Sequence, residues 1–110
     1  MTVVSKPIIP TQYAADAETT EYTSAGVRTI IDKLTAYNSS GGAVTVTVKL
    51  VNSGDTAGAE DVLETKSVAA GETWGFPSVV GHSLAPGDFI SVIAGSASVV
   101  VIRATGREVT

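Results

Sequence analysis

The sequence contains no cysteine. Disulfides and thiolate metal sites are therefore excluded, and the fold must hold by packing or by assembly. Charge is sparse as well. Only 16% of the residues are charged, and 7 Lys and Arg face 11 Asp and Glu, for a net charge of −4. No basic cluster stands out, which argues against nucleic acid as a partner. No apolar run approaches the roughly 20 residues that a membrane-crossing helix needs, so no membrane partner is expected. The opening MTVVSKPIIP reads as too short and too broken by proline for a signal peptide. The expectation is a protein made in the cytoplasm that leaves it, if at all, inside a larger particle.

What is present is a chain of 110 residues, 44% apolar. That is the size of one domain with a small core, and the composition is not that of a disordered chain. Mean hydropathy is +0.28, high for a small domain, which suggests that part of the surface is covered by another subunit.

Turn signals recur every eight to twelve residues or so, the spacing of an all-β fold. Residues 1–26 stand apart. Pro7 and Pro10 interrupt pairing, and the stretch that follows is small and polar. This segment reads as an N-terminal arm, either frayed or docked on a neighbour, with Val3, Val4, Ile8, Ile9, Tyr13 and Tyr22 lacking an obvious local core. A short helix from Ala14 to Glu21 would lack an apolar stripe. The rest, 27–110, reads as a β-sandwich domain. Val27 to Asn38 has apolar residues at helical spacing but β-forming composition, and is assigned as a strand with Ile30, Leu34 and Ala36 on one face. Asp32 then falls on that same face, which either opposes the assignment or marks a bulge; if it points inward, Arg28 or Arg103 could pair with it. Ala43 to Val51 alternates cleanly, with Val44, Val46, Val48 and Leu50 facing the core. Asn52 to Asp61 is an exposed loop. Val62 to Val68 is an edge strand blunted by Glu64 and Lys66. Thr73 to Phe76 is a short strand ended by Pro77, with Trp74 and Phe76 on one face, one for the core and the other for an interface. Ser78 to Leu84 is a further short strand or a crossing loop. Ala85-Pro86-Gly87-Asp88 fits a type II turn. Asp88 to Ala104 reads as a buried hairpin about Gly95-Ser96, since Gly accepts the positive φ that a type II′ turn needs. A polar tail, Gly106 to Thr110, closes the chain. Together this predicts an all-β antiparallel β-sandwich or jelly roll of about six to eight short strands with an extended N-terminal arm.

Catalytic signals are weak. Gly81-His82-Ser83-Leu84-Ala85 approaches a nucleophile elbow, but Ala85 replaces the last glycine and Pro86-Gly87 forbids the helix that must follow. His82 is the sole histidine and adjoins Ser83, so no separate base completes a triad. Asp55, Glu60 and Asp61 lack the acid spacing of a calcium loop and read as a solvated acidic loop. No glycine pattern matches a phosphate loop. No catalytic, cofactor-binding or metal-ligating residue is predicted.

The stretches YTSAGVRTIIDKLTAYN (22–38), GGAVTVTVKLV (41–51), AAGETW (69–74), GHSLAPGDFISVIA (81–94) and IRATGREV (102–109) together resemble small β-sandwich structural proteins of tailed bacteriophages, among them capsid decoration (cement) proteins. That resemblance implies a virion structural protein without enzymatic activity or cofactor. It would bind the major capsid protein lattice on the capsid surface as a homo-oligomer, typically a trimer, and brace the head. Val3, Val4, Ile8 and Ile9 would anchor the arm, with Tyr13, Tyr22 and Trp74 as further interface candidates. The alternative is a tail, neck or fibre component, including a receptor- or glycan-binding module with an exposed Trp74.

Overall fold

The computed structural model describes every residue from Met1 to Thr110. Nine strands are present: β1 (Val3–Tyr13), β2 (Thr20–Thr23), β3 (Arg28–Asn38), β4 (Val44–Val51), β5 (Val62–Val68), β6 (Thr73–Trp74), β7 (Ser83–Leu84), β8 (Phe89–Ala94) and β9 (Val100–Val109). Their pairing is nested. β4 pairs with β5, β3 with β6 and β7, β2 with β8, and β1 with β9, all antiparallel. The chain is thus one long hairpin folded at the Asn52–Asp61 loop. Rolling that hairpin brings β9 against β3 and β8 against β4. The result is two sheets, β1-β9-β3-β6 with β7 also on β3, and β2-β8-β4-β5. This is the jelly-roll form of the expected sandwich.

The alternating residues supply the core. Ile9, Ile31, Leu34, Ile102 and Ala104 from the first sheet meet Val46, Val48, Ile90 and Val92 from the second. Fully burying one such aliphatic side chain contributes about 1.5–3 kcal/mol, so this interior supplies most of the driving force for closure of the two sheets.

The structure corrects several expectations. Residues 1–26 do not form a separate arm. They supply β1 to the edge of one sheet and β2 to the edge of the other, and Ile8 and Ile9 are buried in the chain's own core. The prolines that suggested an arm sit on an edge strand, where a missing N–H is tolerated. The ladder between β1 and β9 shifts register between Lys6 and Ile9 and again between Ile9 and Gln12.

The predicted hairpin about Gly95-Ser96 is absent. β8 and β9 lie in different sheets, joined by Gly95–Val99. The Gly95 N–H donates to the Thr45 carbonyl at 2.8 Å, while the Val99 carbonyl accepts from the Ser39 N–H at 2.9 Å, so the segment steps from one sheet to the other. The positive φ falls on Ser98, at 57°, and not on Gly95. The polar tail is likewise part of β9, which continues to Val109 between β1 and β3.

In β3 a register shift between Ile31 and Lys33 reconciles the conflicting periods. Ile31, Leu34 and Ala36 face inward in place of Ile30, and Asp32 turns outward to Arg107, not to Arg28 or Arg103. Phe76 is the core aromatic, fully buried, and Trp74 is half-buried. Residues 14–21 form no helix. The Ala85–Asp88 turn is as expected, with Gly87 at φ 92° and the Asp88 N–H donating to the Ala85 carbonyl at 3.0 Å.

Every buried side-chain polar atom has a partner. Asn38 illustrates how. Its Nδ2 donates to the carbonyls of Gly42 (2.8 Å) and Val68 (2.9 Å), and its Oδ1 accepts from the Ser40 N–H (2.9 Å). One amide thereby shapes the β3–β4 turn and ties it to the end of β5. Asn38→Ala should lower unfolding stability by about 2 kcal/mol, because the Val68 carbonyl loses a buried donor and the β3–β4 turn loses its tie. A urea midpoint unchanged from the parent chain would remove Asn38 as the tie.

Candidate assembly face

The outward residues of the first sheet form ordered cross-strand rows. Tyr13, Val101 and Tyr37 are register partners across β1, β9 and β3. Beside them Arg103 pairs with Thr35 and donates from its guanidinium to the Thr11 hydroxyl at 2.9 Å. Lys33 and Thr105 form the next row, and Arg107 lies between Ser5 and Ile30. Residues opposite one another in a ladder share a face. Lys33, Thr35, Arg103 and Thr105 enclose a shallow depression of about 280 Å³. Tyr13 is 57% and Tyr37 42% exposed, so two tyrosine rings rise beside a cationic strip. Tyrosine and arginine are enriched in protein interfaces.

The ion pairs inside the chain make this strip distinctive. Lys6 pairs with Glu108, Lys49 with Glu18, Lys66 with Glu72, and Arg107 with Asp32. Of the 7 basic residues, this leaves Arg28, Lys33 and Arg103 without a carboxylate, and all three lie on the outer face of β3 and β9. The second sheet presents a different surface, built from Thr45, Thr47, Thr65 and Ser67. Several acids are engaged by donors other than cations. Glu64 accepts from Trp74 Nε1 (2.8 Å), Asp88 from the Ser53 N–H (2.9 Å), and Asp61 from the Gly58 N–H (2.8 Å). Asp16, Glu21, Asp55 and Glu60 have no such partner, and none of them lies on the outer face of the first sheet.

The other predicted interface residues are distributed unevenly. Val3 and Val4 are about half exposed near the start of β1. Ile8 and Ile9 are interior. Tyr22 points between the sheets, where its hydroxyl donates to Glu108 at 2.6 Å and meets the Thr29 hydroxyl at 2.7 Å. Burial, with Glu108 beside it, raises its pKa above the usual phenol value and keeps the hydroxyl a donor. Trp74 carries the Lys66 ammonium over its ring, 4.3 Å from the centroid. That ring face is taken by the chain itself, as is the indole N–H. The sequence missed Lys33, Arg103 and Tyr37, because their convergence depends on the β3–β9 register.

The edges of the two sheets differ. β1 carries Pro7 and Pro10 and its pairing is irregular, both features that discourage further strand addition. β5, one edge of the second sheet, carries no proline, and Val62 and Leu63 are each 37% exposed at its start.

Glu18 fastens the β1–β2 connection to the second sheet through Lys49 Nζ at 2.5 Å and through the Ser91 hydroxyl. Those hydrogen bonds, Lys49 first and Ser91 second, hold its carboxyl below the ordinary value of 4.5. A depressed folded-state pKa stabilises above the unfolded value, and the benefit is lost as pH falls through the folded value. Glu18→Gln should therefore flatten the decline of stability below about pH 4.5. The effect is small, because the Glu18 side chain is 41% exposed. Superimposable acid limbs for variant and parent in pH-dependent urea unfolding would refute this.

No group of three or more His, Cys, Asp or Glu side chains is placed to hold a metal ion; His82 and Ser83 are both exposed, and Ser83 opens β7 beside Ile30 of β3.

No protein-family model matches the chain, and no curated protein sequence matches it. Among solved structures it is similar to a chain of the Bacillus endospore appendages, described as a novel family of disulfide-linked pili. The TM-score is 0.57 at 19% identity, covering 99% of this chain and 88% of the other. The shared feature is the fold. This comparison corrects the capsid-decoration reading of the sequence, because the similar structure is a bacterial appendage and not a virion part. The fibre-component alternative lies nearer to it.

Proposed function

We propose that the chain is a non-enzymatic structural subunit that assembles with copies of itself into an extracellular fibre. The observation that carries this reading is the likeness to a pilus chain over 99% of the sequence. The exposed tyrosines and the unmatched cations of the first sheet are compatible surfaces for repeated contacts. Contacts between different patches on successive copies propagate as open filaments when they do not close into a ring. The mode of joining must differ from that in the pili it resembles. Those are described as disulfide-linked, and this chain has no cysteine, so its copies associate without covalent links through cysteine. Electron microscopy of the purified chain over a concentration series should reveal fibres that are indifferent to reductant and dissolve in denaturant. Discrete monomers at every concentration would overturn the proposal.

A further inference from the structure

We infer that the cationic face of the first sheet, centred on Lys33 and Arg103, receives the acidic β4–β5 loop of a second copy of this chain, through Asp55 and Glu60. The inference rests on the reading of the chain as a fibre subunit and names the contact that joins successive copies.

Three observations converge on it. First, internal pairing consumes the other basic side chains and leaves Arg28, Lys33 and Arg103 unmatched on one flat face. Second, Asp55 and Glu60 are unmatched on the exposed loop at the tip of the folded hairpin, which joins two strands of the other sheet. Third, the receiving face offers more than charge. Lys33 and Arg103 share their depression with the Thr35 and Thr105 hydroxyls, which can donate to a carboxylate, and Tyr13 and Tyr37 flank it. The Val62 and Leu63 side chains follow the acidic loop directly and are exposed, giving the tyrosine row an apolar counterpart on the incoming copy. The two patches are different surfaces of one chain, so the contact is head-to-tail and can continue indefinitely. Complementary charge of this kind governs encounter and register, and is screened by salt.

The test uses the full-length chain and two charge reversals, K33E/R103E and D55K/E60K. All four positions are exposed, so circular dichroism melts should match the parent. Assembly, followed by sedimentation and light scattering, should weaken at least roughly tenfold between 0.05 and 0.5 M NaCl for the parent. Each reversal alone should stay monomeric. An equimolar mixture should assemble again, because each acidic face now meets a basic loop and each basic face an acidic loop. If the parent forms fibres and K33E/R103E forms them equally well, this contact is wrong while the fibre reading stands. If the parent stays monomeric at every concentration, both fall. A monomeric parent that binds dextran sulfate through Lys33 and Arg103 would reassign the face to a polyanion.

Discussion

Deleting residues 1–13 is expected to unfold the protein. The deletion removes β1, and with it Ile8 and Ile9, which are 4% and 0% exposed. Losing a buried isoleucine side chain costs roughly 2–5 kcal/mol. Two such losses approach the whole stability of a small domain, about 5–15 kcal/mol. The deletion also strips the β9 edge of its partner over the length of the ladder from Val3–Val109 to Tyr13–Val101. The truncated chain should show no cooperative urea transition and poorly dispersed amide resonances. Adding a synthetic peptide of residues 1–13 should restore both in part, because an extended peptide can complete an open sheet edge. A truncated chain that melts like the parent would mean that β1 is a detachable arm after all.

That outcome bears on what could be read from residues alone. Period-two alternation located β4, since one-sided burial imposes it directly, whereas β5 was recognised as an edge by the charges of Glu64 and Lys66. The same logic failed at the N-terminus because Pro7 and Pro10 mimic a linker, and only the register shifts around Ile9 show how an edge strand absorbs them. It failed again at β8–β9. A run of valine and isoleucine indicates burial but not which sheet buries it, and a glycine between two such runs marks a sheet-to-sheet crossing as readily as a hairpin. Asp32 was informative in its awkwardness, since an acid out of phase with its strand marked the bulge that exists between Ile31 and Lys33. The cationic face was not legible. Lys33 and Arg103 are 70 positions apart in sequence and meet only because β9 returns beside β3.

The strand that brings them together depends on Gly106. It sits in β9 opposite Lys6 of β1 on one side and Ile31 of β3 on the other. A β-carbon there would lie 2.6 Å from the Ile30 carbonyl oxygen and 3.1 Å from Ile8 Cδ1. The first neighbour is backbone and cannot rotate away, so β3 and β9 would have to separate beside the β3 bulge. Gly106→Ala should cost about 2 kcal/mol and Gly106→Val about 4 kcal/mol or more, since overpacking grows with each added methyl group. Both should shift the urea midpoint with little change in its slope, as expected when the native state alone is strained. Repacking Ile8 to alanine cannot rescue either variant, because the obstacle is the Ile30 carbonyl. If Gly106→Ala left the midpoint unchanged, β9 would not approach β3 this closely, and the register that aligns Lys33 with Thr105 and Thr35 with Arg103 would have to be redrawn.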